Sequence, residues 1–313
     1  MKKILFNSAL ALSVLLVSCK KDEPTPPPAA TSDLSGYFDE NRDAAIQTFS
    51  INASSANQFT GSNGVIVTVP ANAFTYANGA PVTGTITMSL IEILDQSSMI
   101  LMGMPTTSNG EILVSGGQIN LTAAQGSIPV YLTNGDVSVM VPTSNFDSQM
   151  ALFEGIEGSE GDVDWILSID DSTSMQDSLG FVPDSSGGFF GGYYYFDWND
   201  STLGWINCDY FYSSADPLTT LTADLDAQYN ASNTSVYLHF TSMNSIASLY
   251  FDGTNFSSTS IPENMQLTIV CISEISGSYY SALVPVTVAT NLVVPVTMTA
   301  TTLTDFEAAI ANL

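Results

Sequence analysis

The chain has 313 residues, with five Lys+Arg against 31 Asp+Glu and a formal net charge of −26. The cations are Lys2, Lys3, Lys20, Lys21 and Arg42, so from Asp43 to Leu313 there is no Lys or Arg at all. This argues against nucleic-acid binding, which needs clustered cations, and against a catalytic Lys or a P-loop in the main body. An anionic membrane surface would repel such a chain. Its 45% hydrophobic content argues against disorder, which pairs high charge with low hydrophobicity.

Residues 1–18 read as a signal peptide. Lys2 and Lys3 form a positive start, and Ile4 to Val17 form an apolar run too short for a membrane span. The run ends Leu16-Val17-Ser18-Cys19. This resembles the bacterial lipobox, which implies acylation (palmitate or a related chain) on Cys19 and a stable lipid anchor in the membrane. Residues 19–44 read as a tether, with Pro24, Pro26, Pro27 and Pro28 favouring a stiff polyproline-like path. Such tethers resemble those of lipoproteins abundant in Bacteroidota. In that group, acidic residues such as Asp22 and Glu23 just after the Cys imply display on the exterior of the outer membrane.

Beyond the tether, Val, Ile, Thr, Tyr and Phe recur between Gly, Asn, Asp and Ser at short intervals. That pattern predicts an all-β fold: two β-sandwich domains joined by a loop-rich segment, with a short C-terminal helix. The first domain is expected over 45–145, with strands at Gln47–Ala53, Val65–Val69, Gly84–Glu92, Ile112–Ser115, Gln118–Ala123, Ile128–Leu132 and Val137–Val141. Alternation is clean from Thr85 to Leu90, so that strand is expected to bury one face. Residues 146–203, acidic and then Gly- and aromatic-rich, read as a bridge. The second domain, 204–313, is expected to hold strands at Thr219–Asp224, Ser235–Phe240, Ser248–Phe251, Gln266–Ser273, Tyr279–Val288 and Leu292–Thr299. Thr304 and Glu307 form a capping box, and Phe306, Ile310 and Leu313 fall on one helical face.

Two stretches carry a family resemblance. Gly64-Val-Ile-Val-Thr-Val-Pro70-Ala-Asn-Ala73-Phe74 and Gly84-Thr-Ile-Thr-Met-Ser-Leu90 resemble the ZU-five-type β-sandwich of ankyrins and netrin receptors. A bacterial lipoprotein version continues into residues like Glu92, Met104-Pro105-Thr106 and Ser115-Gly116-Gly117, and Gly204-Trp205-Ile206-Asn207-Cys208-Asp209 is similar to its second half. The resemblance implies a fold, a location and protein contacts; it carries no catalytic activity with it.

The chemistry-bearing residues admit paired readings. With Cys19 acylated, Cys208 and Cys271 remain: a disulfide in an oxidising compartment, or two buried thiols. Glu154, Glu157, Glu160, Asp162 and Asp164, spaced by Gly155, Gly158 and Gly161, suit either a Ca²⁺ loop or a solvated acidic loop without cofactor. Tyr193, Tyr194, Tyr195 and Trp198, following Phe189 and Phe190, form either an exposed binding surface or a hairpin whose alternate aromatics fill a core between the domains. His239 lies in an alternating run; His239-Phe240-Thr241 has the order at which some ZU-five-containing proteins self-cleave, but cleavage needs a strained peptide. With the lipobox-like segment and what the ZU-five resemblance implies, the expectation is a non-catalytic envelope lipoprotein acting through protein contacts. A glycan-binding lipoprotein of an uptake system, with the aromatic loop as platform, is the alternative, and a carboxylate-based hydrolase the third reading.

Overall fold

A computed structural model of the chain describes residues 34–133, 136–144, 146–158, 163–170, 175–176, 179–183, 191–198 and 201–313. The signal peptide, Cys19 and the Pro-rich run lie outside these residues. Among the described residues the fold is all-β with three short helices.

Two sheets pack face to face in the first part. One runs, from edge to edge, Gln47–Asn52, Thr85–Ile93, Glu111–Gln125, Trp205–Phe211, Ala151–Glu157 and Val163–Leu167. Its partner runs Gly180–Pro183, Gly192–Trp198, Val137–Thr143, Ile66–Val69 and Asn57–Thr60. Period-2 alternation aims Met88, Leu90 and Leu121 of the first sheet at Val67, Val139 and Phe196 of the second, making one hydrophobic core. The Ile66–Val69 strand stops at Pro70, which has no N–H to offer a ladder. Residues 146–203, expected as a bridge, supply strands to both of these sheets.

The second part is an eight-stranded sheet ordered Leu292–Pro295, Leu218–Asp224, Phe256–Pro262, Ile246–Phe251, Thr234–Phe240, Gln266–Ile275, Ser278–Thr287 and Thr299–Thr301. One face encloses its own core around Leu238, Phe240, Ile269 and Cys271. The other face packs Tyr237, Val270 and Ile272 against Phe153, Trp165 and Trp205 of the first sandwich. The large first-sandwich sheet is therefore buried on both faces, and the described residues belong to one compact unit, Ser32–Leu313.

The three helices line this middle layer: α1 (Leu34–Ala44), α2 (Gln96–Leu101) and α3 (Leu303–Ile310). Helix α1 corrects the expectation of a tether reaching residue 44. Leu34, Tyr37 and Phe38 are spaced to share a helical face, and all three are buried. From α1, Asn41 Nδ2 donates to Leu101 O at 2.7 Å and Arg42 Nη1 to Met102 O at 2.8 Å. The chain's last cation thereby meets the negative end of α2. Tyr37 Oη donates to Glu307 Oε1 at 3.3 Å, tying α1 to α3.

Helix α3 starts two residues earlier than the expected capping box. Thr302, not Thr304, is the N-cap, accepting from Asp305 N at 3.1 Å. Phe306 and Ile310 are buried as expected, whereas Leu313 is 43% exposed because the helix has already ended. Ile112–Ser115 and Gln118–Ala123 are halves of one strand, Glu111–Gln125, which passes through Gly116-Gly117. Gly117 sits at φ +137°, and a Cβ there would lie 2.7 Å from Leu94 Cδ2, so the strand continues only because this residue has no side chain.

Candidate functional site

The two stretches singled out in the sequence, Ser115-Gly116-Gly117 and Asn207-Cys208-Asp209, meet on adjacent antiparallel strands. The register shifts between Asn207 and Asp209: Gly116 and Gly117 together oppose Cys208, so the bulge lies at the glycines. Ser115 Oγ donates to Asn207 Oδ1 at 2.9 Å, and Asn207 Nδ2 donates to Asp209 Oδ2 at 2.7 Å. Gly117 N closes the chain by donating to Ser115 Oγ at 3.1 Å. All of these side chains are buried, as is Gln118, whose Nε2 donates to Met104 O at 3.2 Å. Asp209 Oδ1 and Gln118 Oε1 have no hydrogen-bond partner among the described residues. Burial pushes the Asp209 carboxyl well above the usual carboxylate range.

Glu92 is the second buried carboxylate. Its Oε1 accepts from Val65 N at 2.8 Å, and its Oε2 from Asn63 N at 2.9 Å and Gln47 Nε2 at 2.8 Å. It organises the Gly61–Val65 turn by accepting from its backbone amides.

Beside the Ser115 seam a cleft of about 480 Å³ opens between the first sandwich and the 241–244 turn of the second part. Its walls include Phe146, Asp147, Met150, Tyr210, Met243 and Asn244. Asn244 staples the two parts together: its Nδ2 donates to Leu94 O at 3.1 Å and to Ser115 O at 2.9 Å, and its backbone carbonyl accepts from Ser115 N at 2.9 Å. Asp147 is positioned from the core below. Tyr194, 1% exposed, accepts from Asp147 N at 2.7 Å through its hydroxyl. Burial and then the Asp147 charge raise the Tyr210 hydroxyl above its ordinary value. Sequence reasoning missed Asp147, Tyr210 and Asn244. No local pattern marks Asp147, because the group that holds it lies 47 residues away.

The expected site residues fall as follows. In the Gly192–Trp198 strand Tyr194, Phe196 and Trp198 point into the first sandwich's core, and Tyr195 is 42% exposed. The binding surface expected of Tyr194 and Trp198 is thus corrected. Alternate aromatics fill a core, as one reading held, but it is the core within the first sandwich and not between domains. Phe189 and Phe190 lie outside the described residues.

Glu160 and Asp162 also lie outside the described residues. Ile156 opposes Asp164 and Glu154 opposes Ile166 in the register, so Glu154 and Asp164 share a face and Glu157 takes the other. Glu157 accepts from Trp205 Nε1 at 2.8 Å, Glu154 from Ser168 Oγ, and Asp164 from Asn109 N at 3.3 Å. Among the described residues no three His, Cys, Asp or Glu side chains are grouped to hold a metal ion.

Cys208 and Cys271 are free and buried, which corrects the disulfide alternative. Cys208 faces the first sandwich's core and Cys271 the second part's own core, so the middle layer separates them. His239 is buried in a strand paired on both sides, to Ile246 and to Thr268. Neither it nor Phe240 or Thr241 has the positive φ of a strained turn.

No family model matches the chain, and no curated protein is significantly similar to it.

Proposed function

We propose that this chain is a non-catalytic lipoprotein of the cell envelope, anchored in the outer membrane through lipid on Cys19 and facing the exterior. It works through protein contacts, in adhesion or assembly. The lipobox-like Leu16–Cys19 and the Pro-rich run support the anchor, and the ZU-five-like stretches support the contact role. The observation that carries the contact role is unmatched charge. Among the described residues the one ion pair is Arg42–Asp39, and no Lys or Arg follows Arg42 in the chain to balance its later carboxylates. A partner with a basic face supplies the missing charge and speeds encounter.

Zero-length coupling of carboxylates to amines on intact cells tests this. The chain has no Lys beyond Lys21, so in a strain carrying Lys20→Arg and Lys21→Arg it cannot couple to itself, and products report partners. Discrete adducts that disappear with Cys19→Ala are expected. Their absence in the intact strain would remove the basis for the contact role.

A further inference from the structure

We propose that the cleft between Asp147 and Tyr210 receives an organic cation: the ammonium or guanidinium head of a lysine or arginine side chain carried by a protein partner. This rests on the contact reading above and names the place where one basic side chain is seated.

The cleft's volume, about 480 Å³, lies in the range that holds small ligands. Asp147 is the carboxylate in its wall, and among the described residues no Lys or Arg lines it. An anionic ligand would meet the Asp147 charge with no lining cation to offset it. An apolar one would strip water from Asp147 with nothing in return. A cation neutralises the carboxylate and also finds aromatic faces. Phe146 is 42% exposed at the rim and is held from behind by Phe181, with ring centroids 4.2 Å apart. Tyr210 stands close enough to Asp147 for the carboxylate's charge to act on its hydroxyl. A cation over such rings gains further attraction. Met150 and Met243 offer soft apolar surface, which suits the aliphatic stem of Lys or Arg.

The carboxylate is also preorganised. Tyr194, rigid in the core, accepts from Asp147 N at 2.7 Å, and Asp147 Oδ1 accepts from Gln149 N at 2.9 Å. Tyr194 is thus a positioning residue: it presents the carboxylate without touching the cation.

The experiment is calorimetric titration of the mature protein with N-acetyl-lysine methylamide and N-acetyl-arginine methylamide. The neutral N-acetyl-glutamine methylamide and spermidine serve as comparisons. Asp147→Asn is expected to weaken binding of the basic probes about tenfold. Tyr194→Phe, which keeps the ring and removes the hydroxyl, weakens it by a smaller factor with native circular dichroism retained. Asp252→Asn, in an exposed turn outside the cleft, leaves binding unchanged. Equal losses in Asp147→Asn and Asp252→Asn would show diffuse attraction and overturn the proposal. So would equal binding of the glutamine probe, or binding of spermidine alone. Cell-surface adducts that persist unchanged in Asp147→Asn would overturn the cleft while leaving the contact reading intact. Probe binding without adducts would do the reverse.

Discussion

Asn207 Nδ2 donates to Asp209 Oδ2 at 2.7 Å, and both side chains have no exposed surface. Two residues apart on one strand, they face the same way, and the bulge at Gly116-Gly117 on the neighbouring strand brings Ser115 opposite Asp209. The carboxyl lies in a region without a cation to balance it, so its neutral form is favoured in the folded state. The folded value is raised above the unfolded one, so the folded protein holds a proton that the unfolded chain releases. Stability from this group is full below the unfolded Asp value of about 4. It is lost as pH rises from there toward the raised folded value. Asp209→Asn, which cannot ionise, should melt above the parent at pH 8, with the gap shrinking toward pH 4. Parallel melting curves across that range would contradict the assignment.

Glu92 is a structural carboxylate whose replacement should be felt at once. It takes hydrogen bonds from two backbone amides of one turn, and Gly61 passes so close that a Cβ there would lie 2.5 Å from its carboxylate carbon. Glu92→Gln turns one acceptor into a donor facing N–H groups and should cost about 2–3 kcal/mol. Gly61→Ala should destabilise through the same contact. Urea unfolding of both variants provides the check, and a midpoint equal to the parent's in Glu92→Gln would refute the role given to the carboxylate.

The tyrosines of the Gly192–Trp198 strand should divide by face. Tyr194→Ala empties a fully buried site and should cost about 3–5 kcal/mol. Tyr195→Ala, on the exposed face, should cost about 1 kcal/mol or less. Similar losses at both positions in thermal melting would mean that the strand is not amphipathic in this sense.

The two thiols make a prediction about reactivity. Burial pushes Cys271 up to about 12 and Cys208 higher still, with the Asp209 charge adding to the latter. Thiolate is therefore scarce, and neither residue should alkylate in the native protein. Both should label after unfolding without reductant. Labelling of unfolded protein only after reduction would instead reveal a bridge.

Much of the fold is written in the chain. Alternation in Thr85–Leu90 and Val137–Val141 follows from the two-residue period of a strand, and it marks which side chains leave water. The stops at Pro70 and the buried pair Phe306 and Ile310 of α3 are equally local. Helix α1 was written there too, in Leu34, Tyr37 and Phe38, but the proline run before it masked the signal. The pairing of Ser115 with Asp209, the hold of Tyr194 on Asp147, and the division of Glu154 and Glu157 between faces of a doubly buried sheet belong to the tertiary structure alone. Each joins a residue to a partner chosen by strand order and register. Those depend on how whole faces bury against one another across long stretches of chain, which no local spacing encodes. The lopsided charge is plain from composition; which carboxylates are buried, and which one lines a cleft, was decided by that packing.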